Sequence, residues 1–273
     1  RRTTPISGDL TTTCNEEPLT MLIEPTLDRL NELGLTGMAH AFAEQLGVPD
    51  MQSICFEDRL ALLLERETSE RENRRLRRLL QIAKLRLDAS VEDIAFRSPR
   101  GLDKSVILRL AGCDWIPQNQ VVLITGATGT GKTYLGCALA QAACRHGLSV
   151  RYFRLSRLLD ELALAKADGS YPKLLNRLLR THLLALDDFG MVPLNDIQRR
   201  DLLEVLEDRY GRRATLVTSQ LPIEHWHDVI GDPTFGDAIL DRLVHHSHRI
   251  TLKGPSMRRN KPSAPSSQSA SAA

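Results

Sequence analysis

The stretch VVLITGATGTGKT, residues 121–133, decides how the rest of the chain is read. Five apolar or β-branched residues make a short strand, and Gly126, Gly131, Lys132 and Thr133 follow at the spacing G-x-x-x-x-G-K-[ST]; the run TYLGCALAQAACRHG after them has helical apolar spacing. Strand, glycine loop and helix in that order form the setting in which such a loop cradles phosphate. The glycines let backbone N–H groups turn inward on a polyphosphate, Lys132 places a point charge at the β and γ phosphates, and Thr133 offers a hydroxyl to Mg²⁺. Gly129 adds further backbone freedom. The expected nucleotide-binding residues are Gly126, Ala127, Thr128, Gly129, Thr130, Gly131, Lys132, Thr133 and Tyr134.

Outward from the loop, VRYF (150–153), LLALD (183–187), TLVTS (215–219) and RITL (249–252) are further short apolar runs separated by helical patterns. That alternation predicts an α/β domain: a parallel five-stranded sheet flanked by helices on both faces. LLALDDFG ends its strand in two acids, which a parallel sheet brings beside the phosphate loop at its carboxyl edge. Asp187 is the expected magnesium partner, and Asp188 the group that orients or deprotonates an attacking water. The bland alternative is that both acids cap the following turn. In TLVTSQLP, Gln220 is placed to touch a γ-phosphate or position water, although a turn or helix-start role fits the residue equally well. Arg242, in AILDRLVHH, suits neutralisation of charge on a transferred phosphoryl group, and a surface pairing with Asp241 is the competing reading. An NKxD sequence for guanine selection is absent, so ATP with Mg²⁺ is the expected ligand. His225, His227, His245, His246 and His248 do not fall at spacings that set three ligands on one element, and a metal role for them is rejected.

Upstream the chain is helical in pattern. Leu27, Leu30, Leu33 and Leu35 begin it, and FEDRLALLLERETSERENRRLRRLLQIAKLRLD predicts one or two long amphipathic helices. Arg71, Arg74, Arg75, Arg77, Arg78, Lys84 and Arg86 crowd one part of that run, with Glu72 as the acid among them. Two readings stay open: a solvated helix face, or neutralisation of nucleic-acid phosphates without sequence readout. Aromatic residues make up 4% of the chain, too few for a base-stacking surface.

Lys and Arg total 36 against 34 Asp and Glu, so net charge selects no partner. The absence of a long apolar run and of a signal-peptide pattern predicts a soluble, cytoplasmic protein with no membrane partner. Cys14, Cys55, Cys113, Cys137 and Cys144 lack CxxC spacing and read as reduced thiols, the pair Cys137 and Cys144 as helix-core packing. The expected organisation is a flexible leader at 1–20, then a helical DNA- or partner-binding domain at 21–97, an ATPase domain at 98–253 opening on a linker near Ser98 to Asp114, and a disordered Ser- and Pro-rich tail at 254–273.

Taken together, LIEPTLDRLNELGLTGMAHAF, GATGTGKTYLGCALA, LLALDDFG, TSQLPIEHW and ILDRLVHHSHRITLKGPSMR resemble the IstB-type ATP-binding transposition helpers, relatives of the DnaC-type helicase loaders among the AAA+ ATPases. The resemblance covers about Met21 to Arg259. It implies a small all-helical N-terminal domain before an AAA+ module, ATP hydrolysis stimulated by DNA, binding of double-stranded DNA with little sequence preference, a homo-oligomer on that DNA, and delivery of target DNA to an integrase-type transposase. By position it makes 126–133 the Walker A loop, Asp187 and Asp188 Walker B, Gln220 the first sensor, Arg242 the arginine finger and Arg258 a further phosphate sensor. Two residues depart from the wider AAA+ pattern: Asp188 stands for Glu and Gln220 for Asn. The shorter Asp predicts slower hydrolysis with binding kept, although the helpers themselves use Asp-Asp. The competing functions are a DnaC-like helicase loader, a metabolic P-loop kinase, which gives the arginine-rich helix no use, and an inert DNA-binding scaffold.

Overall fold

Strand alternation sorts the apolar side chains into two layers. Val122, Ile124, Leu183, Ala185, Ala214 and Leu216 point to one face of a sheet, and Val121, Leu123, Leu184, Leu186 and Val217 to the other, all of them buried. Such strands, buried on both faces, are what helix-covered parallel sheets require. The computed structural model describes residues 17–96 and 100–257, with backbone alone at 17–22 and 52. Arg258, the first sixteen residues of the predicted leader and most of the predicted tail lie outside the described residues.

Two compact units divide between Arg75 and Leu76. The first carries α1 (Glu17–Glu32), α2 (Thr36–Leu46), a 3-10 turn (Pro49–Ser53) and residues 56–75 of α3 (Phe56–Ala83). The first turn of α1 therefore lies inside the stretch read as leader. The long amphipathic run is one helix, closed by Lys84 in the left-handed conformation at φ 51°. Within this unit α2 begins at a Leu35 that offers no capping side chain. Glu67 of α3 supplies the cap instead, accepting from the backbone of Gly37 at 2.8 Å and Met38 at 3.1 Å.

In the second unit, Leu76, Leu79, Leu80 and Ala83 from the last eight residues of α3 pack with Ala89, Val91 and Ile94 on the sheet core. This explains why the division falls earlier than the composition change near Ser98. Then come α4 (Lys104–Ala111), β1 (Val121–Gly126), α5 (Lys132–Arg145), β2 (Val150–Arg154), α6 (Leu155–Ala167), α7 (Tyr171–Arg180), β3 (Leu183–Phe189), α8 (Asp196–Arg209), β4 (Ala214–Ser219), α9 (Trp226–Ile230), α10 (Pro233–Val244) and β5 (Ser247–Leu252). The five strands are parallel in the order β2-β3-β4-β1-β5, as the alternation predicts. β4 is central, flanked by β1 and β3, so the ends of β1, β3 and β4 share one edge. Helix starts are set locally: Asn195 and Gln198 form a capping box on α8, and Asp232 accepts from Phe235 N at 2.9 Å ahead of Pro233 on α10. Cys137 and Cys144 are buried in α5, and burial pushes the Cys144 thiol up to about 12, well away from reactivity. Among the described residues no helix is long and apolar enough to cross a membrane.

Candidate nucleotide-binding site

The site begins where β1 ends. Gly126 has φ +146°, and a Cβ there would lie 2.2 Å from the carbonyl oxygen of Leu252 on β5, so only glycine lets the chain leave the sheet at this point. The loop returns through Gly131, at φ +97°, which precedes α5. A glycine cannot cap with a side chain, and none of the kind that closes α8 and α10 is present. The first amides of a fourteen-residue helix therefore open toward the cleft with the positive end of its dipole.

Side chains brace the loop from several directions. Lys132, 7% exposed, donates from Nζ to Ala127 O at 2.9 Å, and Thr130 Oγ1 donates to the same carbonyl at 2.8 Å. Thr128 Oγ1 donates to Gln220 Oε1 at 2.5 Å, and Met257 N to Gly129 O at 2.9 Å. Behind the loop, buried Arg100 donates from Nη1 to Thr130 O at 3.2 Å.

Opposite stand the two acids. Asp187, 1% exposed, accepts from Thr133 Oγ1 at 3.1 Å on both oxygens, from the Tyr152 hydroxyl, from Thr218 Oγ1, and from Arg86 Nη1 at 3.3 Å. β3 carries a bulge here: between the pairs Leu186 with Val217 and Phe189 with Ser219, Asp187 and Asp188 together oppose Thr218 alone. Asp188 takes up the irregularity at φ +60°, a conformation rare for a non-glycine residue. Its backbone N–H donates to Thr218 Oγ1 at 3.4 Å, while Arg86 Nη1 lies 3.4 Å and Arg154 Nε 3.8 Å from its Oδ2. The bulge thus turns both consecutive acids to one edge, where regular pleating would send them to opposite faces. Burial raises the pKa of the Tyr152 hydroxyl, and its hydrogen bond to Asp187 raises it further, so the phenol stays a donor. Burial works against the charge on Arg86, but the hydrogen bond with Tyr152 and the two carboxylates outweigh it and raise its pKa.

A cleft of about 530 Å³ runs between loop and acids, with Lys132, Thr133, Asp188 and Gln220 on its polar side and Leu87 and Tyr134 on an apolar one, a size ordinary for small-molecule sites. The hydroxyl of Thr133 touching the carboxylate of Asp187 is a pair of hard oxygen donors of the kind magnesium takes. Among the described residues no three His, Cys, Asp or Glu side chains converge as ligands.

Residues 126–134, Asp187, Asp188 and Gln220 are therefore brought together. Arg242 is not among them. It donates to Glu207 at 2.7 Å and to Asp241 at 3.1 Å, and lines a separate hollow with Gln120, Val121 and Thr215, at the amino ends of β1 and β4. The pairing with Asp241 is present and Glu207 reinforces it. Of the basic run, Arg71 and Arg74 both engage Glu67, at 2.6 and 3.4 Å, Lys84 closes α3, and Arg75, Arg77 and Arg78 are exposed along it. Arg86 stands in the cleft, on the acids. Sequence reasoning passed over Tyr152 and Arg154, and took Thr218 only as a polar strand-end residue beside Gln220, without the contact to Asp187. The available signal was that VRYF ends a strand beside LLALD.

The chain is similar to known proteins over most of its length. A family model described as IstB-like ATP binding protein matches residues 28–265. A Sinorhizobium fredii protein named as an insertion sequence ATP-binding protein, y4pL, is 52% identical over 241 residues, covering 88% of this chain and 98% of its own. The protein of Pseudomonas fluorescens named for ATP binding in insertion sequence IS1162 is 46% identical over 74% of this chain and 88% of its own. Among solved structures, the DnaC helicase loader superposes with a TM-score of 0.52 at 19% identity, over 61% of this chain and 97% of its own, and DnaI with 0.53 at 20%, over 65% and 92%. At those identities the likeness speaks for the fold alone.

Proposed function

The chain belongs to the IstB-like ATP binding protein family, and from that premise we propose that it is an ATP-hydrolysing helper of a transposase, which assembles on double-stranded DNA when ATP is bound and is released when ATP is cleaved. The observation that carries this reading is the meeting of an uncapped α5 amino terminus, the folded-back Lys132 and the Thr133 to Asp187 contact in one cleft. The amides and Lys132 grip the phosphates. Thr133 and Asp187 would hold magnesium, which when bound would supply positive charge to the phosphates. Asp188, aimed by the bulge, orients the attacking water and takes its proton, and Gln220, already fixed to the loop through Thr128, reads the γ-phosphate. The apolar side of the cleft at Leu87 and Tyr134 receives the base.

Arg242 lies away from the cleft of its own chain, which supports a role at a neighbouring copy's nucleotide. To reach it, the Glu207 and Asp241 pairings have to be exchanged for phosphate. Arg75, Arg77 and Arg78, exposed on α3, supply non-specific contacts to DNA phosphates. The names of the relatives place their genes in insertion sequences, and from these the partner is read as an integrase-type transposase.

The test is ATP hydrolysis with and without duplex DNA, read beside particle mass, for the parent, Lys132→Ala and Arg242→Ala. The reading expects DNA-stimulated hydrolysis and ATP-dependent growth in mass for the parent alone. Hydrolysis without DNA binding at low salt, or assembly indifferent to ATP, contradicts it.

A further inference from the structure

Arg86 occupies an unusual position for a residue of a basic run: one nitrogen, Nη1, lies 3.3 Å from Asp187 Oδ2 and 3.4 Å from Asp188 Oδ2. A single cationic atom bridging two carboxylates, one of them also in contact with the Thr133 hydroxyl, occupies the neighbourhood that a divalent ion shared by Thr133 and Asp187 would need. The geometry points to Arg86 as a built-in counter-cation of the nucleotide site, which stands in for magnesium on the two acids and gives way to the ion when it arrives with nucleotide. This rests on the nucleotide reading above.

Electrostatics require such a group. Asp187 is almost wholly buried, and a buried carboxylate without a positive neighbour is strongly disfavoured. Two bare carboxylates at the mouth of the cleft would also repel a triphosphate. Arg154, at 3.8 Å, covers Asp188 from the β2 side, whereas Arg86 spans both acids. Its attachment suits a cation that has to leave: the side chain is 35% exposed, it faces an open cleft, and it lies just past Lys84, where the left-handed turn ends α3. With Arg86 in place the acids carry little net repulsion, so nucleotide binds even without metal. Magnesium then replaces one positive charge by two.

The experiment is a titration of the full-length protein with a fluorescent ADP analogue, in magnesium and in EDTA, for the parent, Arg86→Ala, Arg86→Gln and Arg86→Lys. The Gln variant keeps most of the side-chain volume and so separates charge from packing. Loss of the charge is expected to weaken metal-free binding about tenfold or more, in line with a charge-assisted pair. Affinity in magnesium stays equal to the parent's or tightens by up to about threefold, because a competitor of the ion has gone, and Arg86→Lys recovers part of the metal-free affinity. Equal losses with and without magnesium in Arg86→Gln, or none in either, overturn the inference. Failure of the parent itself to bind in either condition overturns the nucleotide reading instead.

Discussion

The phosphate loop and the arginine run of α3 are the two most conspicuous stretches of the chain, and the fold treats them differently. Every residue from Gly126 to Thr133 stays in one small structure, because backbone angles and hydrogen bonds to near neighbours shape the loop: Lys132 and Thr130 both return to Ala127. Four of the seven basic residues are drawn into local tasks, while Arg75, Arg77 and Arg78 stay exposed along α3. Arg71 and Arg74 serve Glu67, Lys84 ends the helix, and Arg86 crosses to acids 101 and 102 positions away. A motif whose geometry is local survives folding as a unit, whereas a run of like charge is shared out among whatever acids the tertiary structure supplies.

Changes in the loop and its acids should therefore be severe and changes on the helix graded. Asp187→Asn should lower ATP turnover about 1000-fold, since a neutral amide cannot hold the ion that offsets developing charge; steady-state hydrolysis checks it, and a loss of only a few-fold would remove Asp187 from the reaction. Gly126→Ala should cost about 3 kcal/mol of stability in chemical denaturation, because the added methyl meets backbone at Leu252 that has nowhere to move. Lys132→Ala should weaken nucleotide binding about 100-fold by calorimetric titration.

On the helix side, Glu67→Gln should destabilise the first unit by about 1 kcal/mol, with a distinctive pH signature. Burial acts to raise the pKa of Glu67, but the Arg71 hydrogen bond and the Met38 and Gly37 amides win and hold it below its ordinary 4.5. A depressed folded-state value means that the stabilisation is complete above the unfolded pKa and disappears as pH falls through the lower one. Thermal melts of the parent should thus drop below about pH 4.5 in a way that the Gln variant does not share. Smallest of all, Arg78→Ala should reduce duplex affinity about threefold and the salt slope by about one unit. A loss as large as that from Lys132→Ala would erase the contrast between the two regions.

The same contrast explains what could be read in advance. The five strands were legible because each is a short apolar run between helical patterns, and their parallel pairing follows from the intervening helices. Within the site, residues adjacent in sequence were legible: the loop, the two acids after Leu186, and Gln220 at the end of β4. Tyr152 and Arg154 reach the acids only through the parallel register of β2 with β3, which sets Arg154 beside Asp187. Thr218 becomes a site residue because of a bulge that no pattern announces. The Glu207 partner of Arg242 comes from α8, 35 positions upstream. The use of Arg86 is the extreme case, since its run suggested a surface and its turn at Lys84 delivered it to a cleft.

The account turns on whether a triphosphate held by the loop governs how copies gather on DNA. Light-scattering mass of the protein on duplex DNA, with ATP and without, for the parent and for Lys132→Ala, measures this directly. ATP should increase the mass bound per duplex several-fold for the parent and leave the variant unchanged, at an affinity for DNA that both share without nucleotide. If Lys132→Ala gathers on DNA as the parent does, nucleotide does not control assembly.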